Sequence, residues 1–137
     1  MYQIYLLSVV TIILAGISLA FDRLDRSLRL GALFNAEVFG RPTFRLVVGI
    51  VTLLVGFFQF LTVAPGDVPV IGDLVPAVTG IVLGGILLLE YYQAKSTVES
   101  RFSDRLDRVF VQNASNFGIV GLVVAVLHFL FHRVLLL

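Results

Sequence analysis

Four stretches of this chain are apolar almost without interruption, and each reaches the roughly 20 residues that a helix needs to cross a bilayer. They cover residues 2–21, 44–64, 75–94 and 117–136. Within each, small or polar residues recur at spacings of three and four. The series are Ser8, Thr11, Ala15 and Ser18; Gly49, Thr52, Gly56 and Gln59; Ala77, Gly80 and Gly84; and Gly118, Gly121, Ala125, His128 and His132. Faces of this kind let helix backbones approach closely. The opposite faces are rich in Leu, Ile, Val and Phe and are expected to meet lipid. The pattern predicts an all-α integral membrane protein, a bundle of four transmembrane helices.

The polar connections repeat themselves. Asp22-Arg23-Leu24-Asp25-Arg26, after the first span, returns unchanged as Asp104-Arg105-Leu106-Asp107-Arg108 after the third. Each copy leads into a second shared pattern, Asn35-Ala36 with Phe39-Gly40 and Asn113-Ala114 with Phe117-Gly118. The chain therefore reads as two fused two-span units, residues 1–64 and 65–137, within one membrane domain. A two-span unit returns the chain to its starting side, so the copies share one orientation. The expected relation is a pseudo-twofold axis along the membrane normal, as in parallel-repeat proteins. The symmetry is approximate, because the first copy holds about one more helical turn between its two motifs than the second.

Helix spacing pairs the charges within each copy. Asp22 and Arg26, like Asp104 and Arg108, stand four apart, which favours weak exposed salt bridges. Leu24 and Leu28, and Val98, Phe102, Leu106 and Phe110, give both elements an amphipathic character. Such an element is a charged collar at helix ends, or a duplicated docking or gating surface. Asn35, Gly40, Asn113 and Gly118 read as elbows: Asn caps helix starts, Gly permits a turn, and Arg41-Pro42 suits the first turn of a helix.

Composition agrees with a life in lipid. The 137 residues are 58% hydrophobic, and mean hydropathy is +1.01, well above the usage of soluble domains. Net charge is only +1, which argues against nucleic acid as a partner. The chain has no cysteine, so disulfide, thiol and cysteine-metal chemistry are excluded. Basic residues gather in the first and third connections (Arg23, Arg26, Arg29, Arg41, Arg45; Lys95, Arg101, Arg105, Arg108), while the second has only Asp67 and Asp73. The positive-inside rule then places both Asp-Arg elements in the cytoplasm and both termini outside, in a cell (inner) membrane. The first span lacks a basic leader and a small-residue cleavage site, and is expected to be retained.

The candidate chemistry lies at membrane depth. Glu90, His128, His132 and Gln59 are costly in lipid and ordinarily face a bundle interior or a wet path. His128 and His132 share a face one turn apart, where a proton relay, a metal or an axial haem ligand is conceivable. Two histidines make half a metal site, and a second haem histidine would have to come from another subunit. No phosphate loop, zinc-protease motif or nucleophile elbow is present, so no enzymatic activity, resident metal or cofactor is expected. The leading expectation is a homo-oligomeric channel or transporter subunit for an ion or small solute, with the His128/His132/Gln59 face on its pathway and Glu90 near its inner end. The alternative is a membrane scaffold docking a protein partner through the Asp-Arg elements; a haem or quinone anchor ranks third.

Overall fold

The computed structural model describes residues 2–29, 36–61, 74–95 and 101–131. These form α1 (Tyr2–Leu28), α2 (Ala36–Gly40), α3 (Pro42–Leu61), α4 (Leu74–Lys95), α5 (Arg101–Leu106), a π-helical turn (Asp107–Val111) and α6 (Ala114–Leu130). The described residues contain helices and no strands.

Three helices are long and apolar enough to cross a membrane, over Gln3–Phe21, Pro42–Leu61 and Leu74–Gln93. A fourth joins them if Asp104–Val111 and Ala114–Leu130, bent by 48° at their junction, count as one broken span. Taken alone, α6 has 17 described residues, about 26 Å of helix and somewhat short of the hydrocarbon core. It begins at Ala114, earlier than the apolar pattern indicated, because Asn113 rather than Phe117 stands at its start.

Each helix end has a local cause. α1 continues straight through the first Asp-Arg element and stops where Arg29 takes a left-handed conformation at φ 52°. The Arg29 amide still donates to the Asp25 carbonyl at 2.9 Å, a helix-ending arrangement. Pro42 opens α3 as its first residue, where its missing N–H is no loss. The second Asp-Arg element is built differently. Its first three residues close α5 and its last two open the π turn, in which the Gln112 amide donates to the Asp107 carbonyl at 3.0 Å.

Close backbone contacts bind the long helices in antiparallel pairs. On α4, a Cβ at Gly84 would lie 2.7 Å from the Gly49 carbonyl of α3, and one at Gly80 would lie 3.2 Å from the Gly56 Cα. Between α1 and α6, a Cβ at Gly16 would lie 2.8 Å from the Gly118 carbonyl. Any larger residue would push these helices apart; this is the small-residue packing that the spacing anticipates, except that Gly16 stands outside the series marked on the first span. α1 also packs on α3 and α4, and α4 on α6. Of the apolar window of α1, 56% is buried, against 33% for α3 and 39% for α4, so α1 is the most enclosed span.

Ile12, Ala15 and Leu19 of α1 meet Leu83, Ile86 and Leu87 of α4 in the main apolar core, joined by Val48 and Ala125. A smaller cluster lies at the Asp-Arg end, where Ile17 and Phe39 gather Leu24 and Phe44, and Phe39 stacks on Phe21 at 5.5 Å. Val47, Val51, Leu54 and Phe58 of α3, with Val120, Val123 and Phe129 of α6, point outward. Antiparallel pairing leaves both Asp-Arg elements at one end of the bundle.

Candidate functional site: the buried polar side chains

Two groups of polar side chains sit inside this apolar frame, at opposite ends. The first is remote from the Asp-Arg elements and gathers around the opening turns of α1. Ser8 Oγ donates to Gln59 Oε1 at 2.8 Å, and both side chains are buried. Thr52 Oγ1 donates to the Thr11 carbonyl at 3.2 Å, while Thr11 Oγ1 donates to the Ser8 carbonyl at 3.1 Å. The Ser8–Gln59 and Thr52–Thr11 bonds tie α3 to α1, and the third lies within α1. In lipid a hydroxyl or amide has no water to fall back on, so an interhelical partner is worth having. Gln59 Nε2 is buried without a hydrogen-bond partner among the described residues.

His128 belongs to the same end. Its exposure is 0%, and its ring lies 4.7 Å from that of Tyr5, centroid to centroid, tilted by 57°. The Tyr5 hydroxyl donates to the His128 carbonyl at 2.9 Å and to that of Phe129 at 3.1 Å. Carbonyls in a closing helical turn commonly take donors from outside the helix, and Tyr5 supplies one from α1. His128 thus stands in the last turn of described helix, level with the start of α1. Gln59 and His128 both approach α1 within its first turns, by way of Ser8 and Tyr5. His132, the companion expected one turn on, lies outside the described residues.

The second group is an ion pair near the Asp-Arg end. Arg45 on the second turn of α3 approaches Glu90 of α4 with 2.7 Å between nitrogen and oxygen, their side chains 29% and 21% exposed. The same guanidinium donates to the Ser18 carbonyl of α1 at 3.2 Å. One arginine therefore joins three helices. Sequence reading assigned Arg45 to a connection and Glu90 to a pathway, and overlooked their pairing. The available signal was depth: an acid a few residues before the end of one span and a base a few residues into an antiparallel neighbour. Glu90 is accordingly separated from Gln59 and His128, at the other end of the bundle.

The Asp-Arg elements themselves are unlike. Arg23 in the first donates from a terminal nitrogen to Asn116 Oδ1 at 2.6 Å, connecting α1 to α6. Leu24 packs beneath it on the Phe39 cluster. Arg26 is exposed and Asp25 half-buried. In the second, Asp104, Arg105 and Arg108 are exposed. Asp107 Oδ2 accepts from Gln112 Nε2 at 3.3 Å. The ion pair that spacing favours between Asp104 and Arg108 is absent among the described residues. Helical register explains this, because the chain enters a wider π turn at Asp107 and carries Arg108 out of alignment with Asp104.

The elbow residues divide in the same way. Gly40 ends α2, where the chain breaks before α3. Gly118 lies inside α6 and serves its packing on Gly16 instead of a turn. Asn113 occupies the cap position of α6, yet its side chain makes no capping bond. Its Nδ2 instead donates backward to the carbonyls of Val109 at 3.1 Å and Arg108 at 3.4 Å, satisfying the π turn. Asn35 lies outside the described residues. Among the described residues no three of His, Asp and Glu come together as metal ligands would.

One family model matches residues 1–128, almost the whole chain. The chain belongs to that family, whose function is uncharacterised. No curated protein and no solved structure matches it.

Proposed function

We propose that this chain is a multi-pass membrane protein working as a non-catalytic scaffold or accessory subunit, which docks a partner protein through its charged end. One observation carries the reading. The polar side chains at membrane depth engage one another across helices: Ser8 with Gln59, Tyr5 with the end of α6, Arg45 with Glu90 and α1. Groups used in this way hold a bundle shut, while exposed charges, Asp104, Arg105 and Arg108 of the second element among them, lie at its Asp-Arg end. That end faces the cytoplasm in this proposal, with both termini outside, since the basic residues gather there.

The two-repeat construction belongs to the same proposal. Exchanging α1 with α4 and α3 with α6 turns the α1–α6 contact into α4–α3, and α1–α3 into α4–α6. All four are pairs that pack in this bundle, and the correspondence supports a pseudo-twofold axis between α1 and α4. Its local departures are the ones already described at the second Asp-Arg element.

A transport subunit is the second reading, favoured by the unsatisfied Gln59 Nε2 and the fully buried His128 at membrane depth. Two measurements separate the readings. Under the scaffold reading, a second polypeptide co-purifies in fixed proportion from native membranes and is lost when Asp104→Lys and Arg105→Glu are combined. Liposomes holding the pure protein stay tight to protons, alkali cations and common anions. Flux that disappears in His128→Gln, with the protein still folded, would overturn the scaffold in favour of transport.

A further inference from the structure

The outward face of α4 bears an apolar groove of about 480 Å³. Ile81, Gly85, Leu88 and Leu89 supply one side of it, and Leu106 and Phe110, from the chain after α4, the other. Eight glycines stand on the four long helices. At seven of them a Cβ would come within 3.2 Å of another helix of the same chain. At Gly85 it would meet nothing within 4 Å among the described residues. Intramolecular packing therefore explains every one of these glycines except Gly85, although glycine is a weaker helix former than alanine.

Lipid tails conform to a surface of any shape and gain nothing in particular from a missing Cβ. A second helix does gain, because its backbone can settle into the gap, as α3 does over Gly84 and α1 over Gly118. Ile81 and Leu89 stand one turn to either side of Gly85 as the ridges such a helix would pass between. The stretch from Ile81 to Leu89 carries no charge. Two copies in one membrane share an orientation, so a twofold axis along the normal would set this stretch against itself at matched depth without opposing like charges.

We propose that the groove is a self-association surface, in which the α4 helices of two copies cross at Gly85. The proposal rests on the membrane-embedded reading of the chain and is independent of the docking partner. Because the chain has no native cysteine, single cysteines report on it cleanly. In liposomes, oxidation should join Ile81→Cys and Leu88→Cys chains into disulfide-linked dimers, whereas Val123→Cys, on an exposed face of α6, should remain monomeric. Gly85→Leu should raise the dimer dissociation constant about tenfold or more, with helix content and resistance to alkaline extraction unchanged. Gly85→Ala should fold at least as stably as the parent. Wild-type protein that stays monomeric on concentration in the bilayer would overturn the proposal, as would a dimer indifferent to Gly85→Leu, or Val123→Cys linking as readily as Ile81→Cys. If Gly85→Leu fails to fold, the Ile81→Cys and Val123→Cys comparison decides alone. Release of the wild type by alkali would instead refute membrane embedding.

Discussion

The same five residues, Asp-Arg-Leu-Asp-Arg, occur in this molecule on two different backbones. At 22–26 they are the last turns of an unbroken 27-residue helix. At 104–108 they run from the end of α5 (Arg101–Leu106) into a π turn. The difference lies in what surrounds them. The first copy is continuous with a span, and Leu24 and Phe39 pack into a cluster that fixes the helix in place. In the second, Asn113 stabilises the wider turn through the carbonyls it satisfies. Local sequence sets charge and amphipathicity, but tertiary partners choose the helical register. The same holds for the glycines that end the repeated motif, since Gly40 terminates a helix and Gly118 seats one helix on another.

The largest expected effect exploits that glycine difference. A Cβ at Gly118 would lie 2.7 Å from the Gly16 carbonyl and 3.1 Å from the Ala20 amide nitrogen. These are backbone atoms, which cannot rotate aside. Gly118→Leu should therefore destabilise the bundle by about 3 kcal/mol or more, the upper part of the overpacking range. Equilibrium unfolding in mixed detergent would measure it. Gly40→Ala, at the end of a five-residue helix, should change stability by less than about 1 kcal/mol. Equal losses at the two positions would mean that the repeated glycines share one role after all.

Next in size is the ion pair, which joins the two units and has no symmetric counterpart among the described residues. Arg45 stands five residues beyond Gly40, and the residue five beyond Gly118 is Val123, exposed on α6. Glu90→Gln leaves the guanidinium facing a neutral amide while keeping its bond to the Ser18 carbonyl. For a partly exposed pair the loss should be about 1–2 kcal/mol, below the 3–5 found when one partner of a fully buried pair is removed. Arg45→Met should lose more than Glu90→Gln, because it also gives up the contact to α1. A double-mutant cycle reads the coupling between them.

How much of this was legible beforehand follows from the kind of interaction involved. Span positions, the antiparallel order and the small-residue faces are periodic features, and periodicity survives in a sequence without coordinates. Gly49 facing Gly84 is an instance: both residues lie on faces that spacing marks as packed, although nothing in the sequence pairs them. Pairings between helices are not periodic. Arg45 with Glu90, Ser8 with Gln59 and Tyr5 with the last carbonyls of α6 depend on the relative rotation and height of two helices. A single chain encodes those only through its whole packing. The π turn was illegible for another reason. Its extra residue leaves no mark in the spacing of Leu106 and Phe110, which still stand four apart and both line the α4 groove.

The smallest effect addresses the twin elements most directly. Arg23 is exposed, yet it bridges α1 to α6 through Asn116 at 2.6 Å. Arg105, at the matching position of the second copy, is exposed on α5. A neutral-to-charged hydrogen bond at a water-facing site is screened and flexible, so Arg23→Ala should lose about 0.5–1 kcal/mol. Arg105→Ala should fall within about 0.5 kcal/mol of the parent. Asn116→Ala should lower stability about as much as Arg23→Ala, and the double substitution should lose little beyond either single one, since both remove the same bond. If Arg105→Ala proved as damaging as Arg23→Ala, the second element would have a structural partner equivalent to Asn116, and the contrast between a tethered copy and an exposed one would collapse. If the two arginines differ as expected, the exposed copy is the one whose charge can be altered without loosening the bundle, which makes it the cleaner site for testing partner docking.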